Sequence, residues 1–308
     1  MSYLPLPKKG GKEGISMKHG FPIRIKFLKF IFIVVLVLTF FIPIHLSAQE
    51  AKYPWEKHKN DNDSVLLKKH TFELGPEISY ITYKEPGTMK EKGMMYGLVG
   101  SYTYHNKLML KAEGKGSLGK VDYKGALSDG TPYTMDGIRD YMLEFRGLVG
   151  CDFPVGKAST LTPYIGIGYR YLNDDSSSDP AGYERESNYL YSPIGIGFIA
   201  NLGNDWSIGG TGEYDYFWLG KQKSHLDDVL PGLNVVENRQ EKGYGLRGSI
   251  TLQKKIKTVD FEVGPFIRYW NIKKSETETI TYYGTPVGYG WEPKNNSTEV
   301  GVMLGVKF

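Results

Sequence analysis

The sequence predicts an all-β chain whose strands run up and down and close into an antiparallel barrel of ten strands, with eight as the alternative count. Three observations carry this. The stretch ending the chain alternates: Val300, Val302, Leu304, Val306 and Phe308 share one parity, and Glu299, Gly301, Met303, Gly305 and Lys307 share the other. The same two-residue period recurs nine times upstream, starting near Thr71. The 308 residues include 38 Gly and 23 Tyr. Gly suits a tightly curved strand wall, and Tyr collects where an apolar surface meets water.

The first segment is not part of that pattern. Phe27 to Leu46 is the one long apolar run, preceded by Lys18, Arg24, Lys26 and Lys29 and followed by Ser47-Ala48-Gln49. A basic region, an apolar stretch and small residues before a polar break predict a secretory signal peptide over residues 1–48, exported through the Sec route. Met17 is an alternative start. An N-terminal membrane anchor is the competing reading, and it lacks a stop-transfer charge cluster. No Cys follows the run, so lipoprotein-type attachment is excluded. The single cysteine, Cys151, excludes an internal disulfide and a Cys-based metal site. After the signal no apolar run is long enough for a membrane helix, so the exported chain can enter a membrane only as a barrel. The formal net charge of +4 says little, because part of the excess sits at the N-terminus, and no nucleic-acid partner is expected. Residues 49–69 are polar with little period and are expected to form a periplasmic tail.

From residue 70 to 308 the alternation is expected to form the barrel. Strand one, Thr71 to Tyr83, puts Phe72, Leu74, Pro76, Ile78 and Tyr80 outward. Strand two is Met94 to Tyr104. Strand three puts Leu108, Leu110, Ala112 and Leu118 outward. Strand four, Asp140 to Phe153, does so with Tyr141, Leu143, Phe145 and Val149. Strand five is Leu161 to Tyr171, and strand six is Tyr189 to Leu202. Strand seven carries Trp206, Ile208, Tyr214, Tyr216 and Trp218 outward. Strand eight carries Tyr244, Leu246, Ile250 and Leu252, strand nine Val259, Phe261, Val263, Ile267 and Tyr269, and strand ten closes the wall.

Connections alternate in length. Short ones fall at His105–Lys107, Gly156–Ser159, Gly203–Asp205 and Lys254–Thr258. Long ones fall at Lys120–Ile138, Asn173–Asn188, Gly220–Lys242 and Lys273–Asn296. Short periplasmic turns with five longer extracellular loops are the bacterial barrel pattern, and an even strand number puts both ends on the periplasmic side. An internal repeat supports the register: Phe72-Glu-Leu-Gly-Pro-Glu-Ile-Ser-Tyr80 matches Phe261-Glu-Val-Gly-Pro-Phe-Ile-Arg-Tyr269. Repeated wall geometry accounts for it better than a ligand motif does.

With these strands in place, a chain ending in an alternating strand with Phe308 resembles the outer-membrane β-barrels of Gram-negative bacteria. The resemblance implies outer-membrane location, contact with membrane lipid and lipopolysaccharide, and recognition by the barrel assembly machinery through the terminal strand.

The inward parity collects Glu73, Glu77, Glu113, Glu144, Glu213, Asp215, Glu262 and Glu299 with Lys111, Lys115, Arg146, Arg170, Arg247 and Arg268. Facing lipid at mid-depth, each Arg or Lys would cost about 2–4 kcal/mol. Facing inward, opposite charges can pair, so a plugged, charge-paired lumen is expected. A narrow channel for small solutes or ions is the alternative.

No catalytic motif, cofactor site or metal-ligand set stands out. A ten-stranded barrel with charged loops resembles the omptin surface proteases in architecture. Those enzymes place an Asp pair on one rim and an Asp-x-His pair on the other to activate a water. Here His225-Leu-Asp227-Asp228 has the reverse order, and Asp122, Asp129 and Asp136 are spaced rather than paired. No catalytic residue is carried across, and a non-enzymatic surface protein is the expectation, with an omptin-like surface protease as the alternative. His225, Asp227 and Asp228, with Tyr282, Tyr283, Tyr289 and Trp291 in the last loop, are the candidates for binding an extracellular ligand.

Overall fold

A computed structural model describes residues 67–308 apart from Ser128 and Lys157. The expected signal peptide, its alternative start at Met17 and the tail up to Leu66 lie outside the described residues. In chain order the strands are β1 (His70–Glu85), β2 (Met89–Asn106), β3 (Leu108–Ala126), β4 (Pro132–Cys151) and its short continuation β5 (Phe153–Val155). Then come β6 (Ser159–Asp175), β7 (Glu184–Gly203), β8 (Trp206–His225), β9 (Val235–Gln240), β10 (Gly243–Ile256), β11 (Val259–Ile272), β12 (Glu278–Tyr282), β13 (Thr285–Gly290) and β14 (Asn295–Lys307).

Ten of these form a closed antiparallel wall: β1, β2, β3, β4, β6, β7, β8, β10, β11 and β14. Closure has two seams that a linear reading could not register. The first strand pairs with the last, with Ile78 opposite Val302. Strand β8 skips β9 and pairs with β10, with Glu213 opposite Arg247. Phe308 seals the first seam. Its N–H donates to the Phe72 carbonyl at 3.0 Å, the Phe72 N–H returns the bond at 2.9 Å, and the two rings stack 6.1 Å apart. Neither strand edge is left unpaired there.

The wall is apolar outside. Phe72, Leu74, Ile78 and Tyr80 on β1, Ile165 and Ile167 on β6, and Val300, Val302 and Leu304 on β14 are all exposed. So are the other outward residues expected for strands three, four and seven to nine, with Leu143, Phe145, Ile208, Tyr244, Val259 and Tyr269 nearer half-exposed. A water-soluble protein would bury such a set.

Connections at the end where β1 starts and β14 finishes are as short as expected. Lys107 alone links β2 to β3, and Asn204-Asp205 links β7 to β8. Lys107, Asn204, Asp205 and Lys257 all take positive φ, between 53° and 63°, the geometry that tight hairpins demand.

The opposite end, the crown, differs from expectation. Strands continue well above the apolar band, so the segments read as long loops are mostly strand. Between β3 and β4 the connection shrinks to 127–131, and between β6 and β7 to 176–183. β2 begins at Met89 rather than Met94. Within 220–242, β8 runs on to His225, a short 3-10 turn covers Leu226–Asp228, and β9 folds back onto β8 with Gly220 opposite Gln240. Within 273–296, β12 and β13 form a hairpin. Above the band both faces of the wall are polar or mixed, so the hydrophobic alternation fades while backbone pairing continues.

The internal repeat has a backbone cause. A Cβ on Gly75 would sit 1.9 Å from the Leu304 carbonyl oxygen, and one on Gly264 would sit 2.0 Å from that of Ile250. Both glycines point into the barrel and are followed by outward prolines, Pro76 and Pro265. The ladder on one side lapses beside each pair. The wall bends sharply there, which only glycine permits.

Candidate functional site

The bore is filled in layers, and the alternating parity positions each one. Lowest, near the short turns, lies a cavity of about 330 Å³ lined by Glu73, Lys111, Glu113, Arg146, Glu262 and Lys307 among others. Its charges are paired: Lys307 with Glu262 at 2.6 Å and Glu73 at 3.7 Å, and Lys111 with Glu113 at 2.9 Å. Arg146 bridges Glu113 at 3.0 Å and Glu213 at 2.6 Å, and Tyr164 donates to the other Glu213 oxygen at 2.8 Å.

Two clusters cross the bore above this cavity. In one, Lys115 holds Glu77 and Glu299, each at 2.9 Å, and Arg268 holds the same two at 2.9 and 3.2 Å. Ser79 adds a hydroxyl to Glu299 at 2.8 Å. In the other, Arg247 makes a two-pronged contact with Glu144 at 2.5 and 2.8 Å and reaches Asp215 at 2.6 Å, while Tyr191 donates to Glu144 at 2.7 Å. Planar guanidinium forks against carboxylates are the strong form of this contact. All these side chains come from β1, β3, β4, β7, β8, β10, β11 and β14, so the clusters tie opposite walls together.

An aromatic layer follows. Tyr189, Tyr191, Phe217, Trp270 and Ile272 are buried together. Arg170 lies 5.7 Å from both the Tyr189 and Trp270 ring centres, a cation–π arrangement. Tyr191 reaches across because β6 carries Gly168, where a Cβ would meet the ring at 2.3 Å. Beside this layer Ile81, Met95, Val121, Ile138 and Met142 form a second apolar cluster inside the bore.

Above the apolar band is a group that sequence reasoning missed. Arg185 is ion-paired to Glu91 at 2.7 Å, to Glu85 at 3.3 Å and to Asp174. Tyr83 donates to Glu292 at 3.1 Å and to Glu85 at 3.3 Å. Burial, with the Glu85 carboxylate beside it, pushes the Glu292 carboxyl up to about 7, against the opposing pull of Arg185 and the Tyr83 hydroxyl. A small cavity lined by Glu91, Asp140, Asp174 and Arg185 adjoins it. The signal was present: extending the inward parity from Tyr83 reaches Glu85, and extending it back from Met95 reaches Glu91.

All fourteen charged residues expected in the lumen point inward, and each has a partner there. The loop candidates are dispersed. His225 faces the outer flank, its Nε2 2.9 Å from Glu186. Asp228 accepts the Glu184 N–H at 2.9 Å, and Asp227 is exposed in the 3-10 turn. They form no shared cleft. Tyr282 and Tyr283 meet edge to face at 4.7 Å on the hairpin tip, where Tyr283 is 75% exposed. Tyr289 lies farther down β13 and is 61% exposed. Trp291, at the hairpin base, lies 4.0 Å from the Lys274 ammonium. The hairpin is anchored by Asn234, which accepts the Thr281 N–H at 2.7 Å, and by Ile280 packed with Leu226 and Val236. Among the described residues no group of three or more His, Cys, Asp or Glu could hold a metal ion.

These layers and the closed ten-stranded wall can be set beside known proteins. No protein-family model and no curated protein matches the chain. Among solved structures, the outer membrane protease OmpT from Escherichia coli aligns over 78% of this chain and 96% of that one, with a TM-score of 0.52 at 11% identity. The transport unit of the autotransporter AIDA-I from Escherichia coli covers 80% and 91%, with a TM-score of 0.39 at 12% identity. Ail of Yersinia pestis covers 77% and 99%, with a TM-score of 0.29 at 11% identity. The last two are too distant to carry argument. The chain has the fold of the outer-membrane β-barrels. Its ten-stranded wall is omptin-like in architecture, and at this identity the likeness concerns the fold alone.

Proposed function

We propose that the protein resides in the bacterial outer membrane as a non-enzymatic surface barrel, its bore plugged and its crown turned to the outside. The observation that carries this reading is the double filling of the bore, with ion-paired clusters below and an aromatic layer above. A solute path would have to part buried pairs such as Arg247–Glu144, and removing a partner from such a pair costs about 3–5 kcal/mol. The 330 Å³ cavity is then a blind vestibule open to the periplasmic side. Sec export and delivery to the assembly machinery through β14 belong to the same reading. So does ligand contact through the hairpin tyrosines Tyr282 and Tyr283. A hydrolase would need its His and Asp facing one cleft, and His225 instead rests against Glu186 on the outer flank.

Planar-bilayer recording tests the plug. The refolded barrel should insert and stay nearly silent. Steady, well-defined single-channel currents would overturn the reading in favour of a narrow pore.

A further inference from the structure

The vestibule at the short-turn end stays open because one side of its wall carries only small side chains. Thr162 on β6 is opposite Gly197 on β7, Gly197 opposite Thr211 on β8, and Thr211 opposite Ser249 on β10, so the four form one row. One level nearer the mouth, Gly209 is opposite Thr251. All of them line the cavity. The levels above are closed by arginine, glutamate and aromatic side chains. Crowding does not impose the glycine of this row. A Cβ on Gly197 would come within 4 Å of the Thr162 carbonyl oxygen alone, at 3.8 Å, so a larger residue fits there and would fill the space. Gly75 and Gly264 differ, since a Cβ on either would strike backbone.

The charges around the cavity disfavour an ionic occupant. Lys68 holds Asp260 at 2.9 Å across the mouth. Lys111, Arg146 and Lys307 hold Glu113, Glu213 and Glu262. Arg247 and Arg268 are held from above by Glu144 and Glu77. An entering ion would have to take one of these groups from its partner. What remains is hydrogen-bonding capacity. A carboxylate has about four lone-pair sites and an ammonium three donors, so one ion pair leaves most of them free. The Thr211 and Ser249 hydroxyls bond each other at 2.8 Å, which leaves one O–H and several lone pairs for a ligand. Just above the row the Tyr164 ring lies against the β7 backbone, where a Cβ on Gly195 would meet it at 2.6 Å. Tyr164 also lines the cavity.

A neutral molecule dense in hydroxyls, with C–H groups on the faces of a ring, meets all of these features. Its hydroxyls exchange hydrogen bonds with the row and with the carboxylates, and its ring packs on the aromatic side chain. We infer that the vestibule binds a neutral sugar of mono- or disaccharide size. The volume of about 330 Å³ lies at the lower end of the range for small-molecule sites, about 300–1,000 Å³. Thr211, Ser249 and Thr251 bond the sugar hydroxyls, Gly197 leaves the room, and Tyr164 takes the ring face. The site is separate from the crown tyrosines. It rests on the plugged-bore reading only for the side of entry, which is the short-turn end.

The test uses the full chain, refolded in phosphocholine micelles whose headgroup carries no sugar. Saturation-transfer NMR and calorimetry probe glucose, N-acetylglucosamine and maltose, with glucuronate and glucosamine as charged counterparts. At least one neutral sugar should bind saturably, and about tenfold or more tighter than the charged ones, which must break an ion pair. T211V/S249A keeps the shape of the row and removes its hydroxyls, so affinity should fall about twenty-five-fold, at about fivefold per hydrogen bond. G197L fills the cavity and should abolish binding. K221Q, on the crown, should bind as wild type does. Gel mobility of the folded barrel checks each variant, and T211V/S249A decides by itself where G197L does not fold. No saturable binding of any neutral sugar, equal binding of the charged ones, or unchanged affinity in T211V/S249A would overturn the proposal. A barrel that binds sugar and also conducts steadily in planar bilayers defeats the plug and leaves the site standing. A silent barrel that binds none defeats the site and leaves the plug.

Discussion

Replacing Arg247 by Met probes the plug most directly. The guanidinium holds Glu144 with two prongs and Asp215 with a third N–H, and it lies 3.3 Å from Glu213. Its side chain is 9% exposed, and those of Glu144, Glu213 and Asp215 are 4%, 2% and 0%. Methionine keeps an unbranched stem and much of the volume while leaving a carboxylate group with its main cation gone. Stranding buried charge in this way costs about 3–5 kcal/mol. With a urea slope of about 2–3 kcal/mol/M, the unfolding midpoint should fall by about 1.5 M. The assay is urea unfolding in phosphatidylcholine vesicles, followed by the gel mobility difference between folded and unfolded barrel. Arg247→Lys should lose about 1–3 kcal/mol, since the charge stays and the fork does not. Adding Glu144→Met to Arg247→Met should restore part of the loss by removing one stranded charge. An unfolding free energy for Arg247→Met within about 1 kcal/mol of wild type would refute the account of the bore as charge-locked.

Two further outcomes follow from the crown. The Glu292 carboxyl is raised from 4.5 to about 7, so the folded form binds its proton more tightly than the unfolded form. Stability is then greatest below about 4.5, falls as pH rises between about 4.5 and about 7, and is level above. Proteolysis within 273–294 should quicken across that window, and Glu292→Gln should remove the dependence; a flat wild-type profile would contradict the burial argument. Basic peptides should remain intact after incubation with the refolded barrel, and cleavage lost in His225→Ala would show that His225 serves a hydrolase.

Much of the wall was legible because a lipid-facing barrel needs apolar side chains at every second position. The inward parity was equally legible: a charge such as Arg146 or Arg247 cannot face lipid, so it must face the bore. The crown was not. Above Tyr80 and Leu118 the outward face turns to lysine, and the apolar alternation stops while the strands continue. Arg185, Asp174 and Glu292 therefore fell in segments read as loops, although Arg185 pairs with Asp174 and Glu85, and the Tyr83 hydroxyl links Glu85 to Glu292. The hairpin β12–β13 was hidden for the same reason, since apart from Gly290 only Ile280 of its residues is buried.

The sequence by itself determined the strand parity, the short turns and the closing role of the strand ending at Phe308, because each depends on neighbours one or two residues away. Tertiary structure decided who meets whom across the bore. Lys115 finds Glu299, 184 residues on, and Arg247 finds Glu144, 103 residues back. The stagger of strands around a closed wall sets those meetings. Cross-strand register likewise aligned Thr162, Gly197, Thr211 and Ser249 into one row. Parity depends on a single strand, whereas these contacts depend on how all ten are aligned.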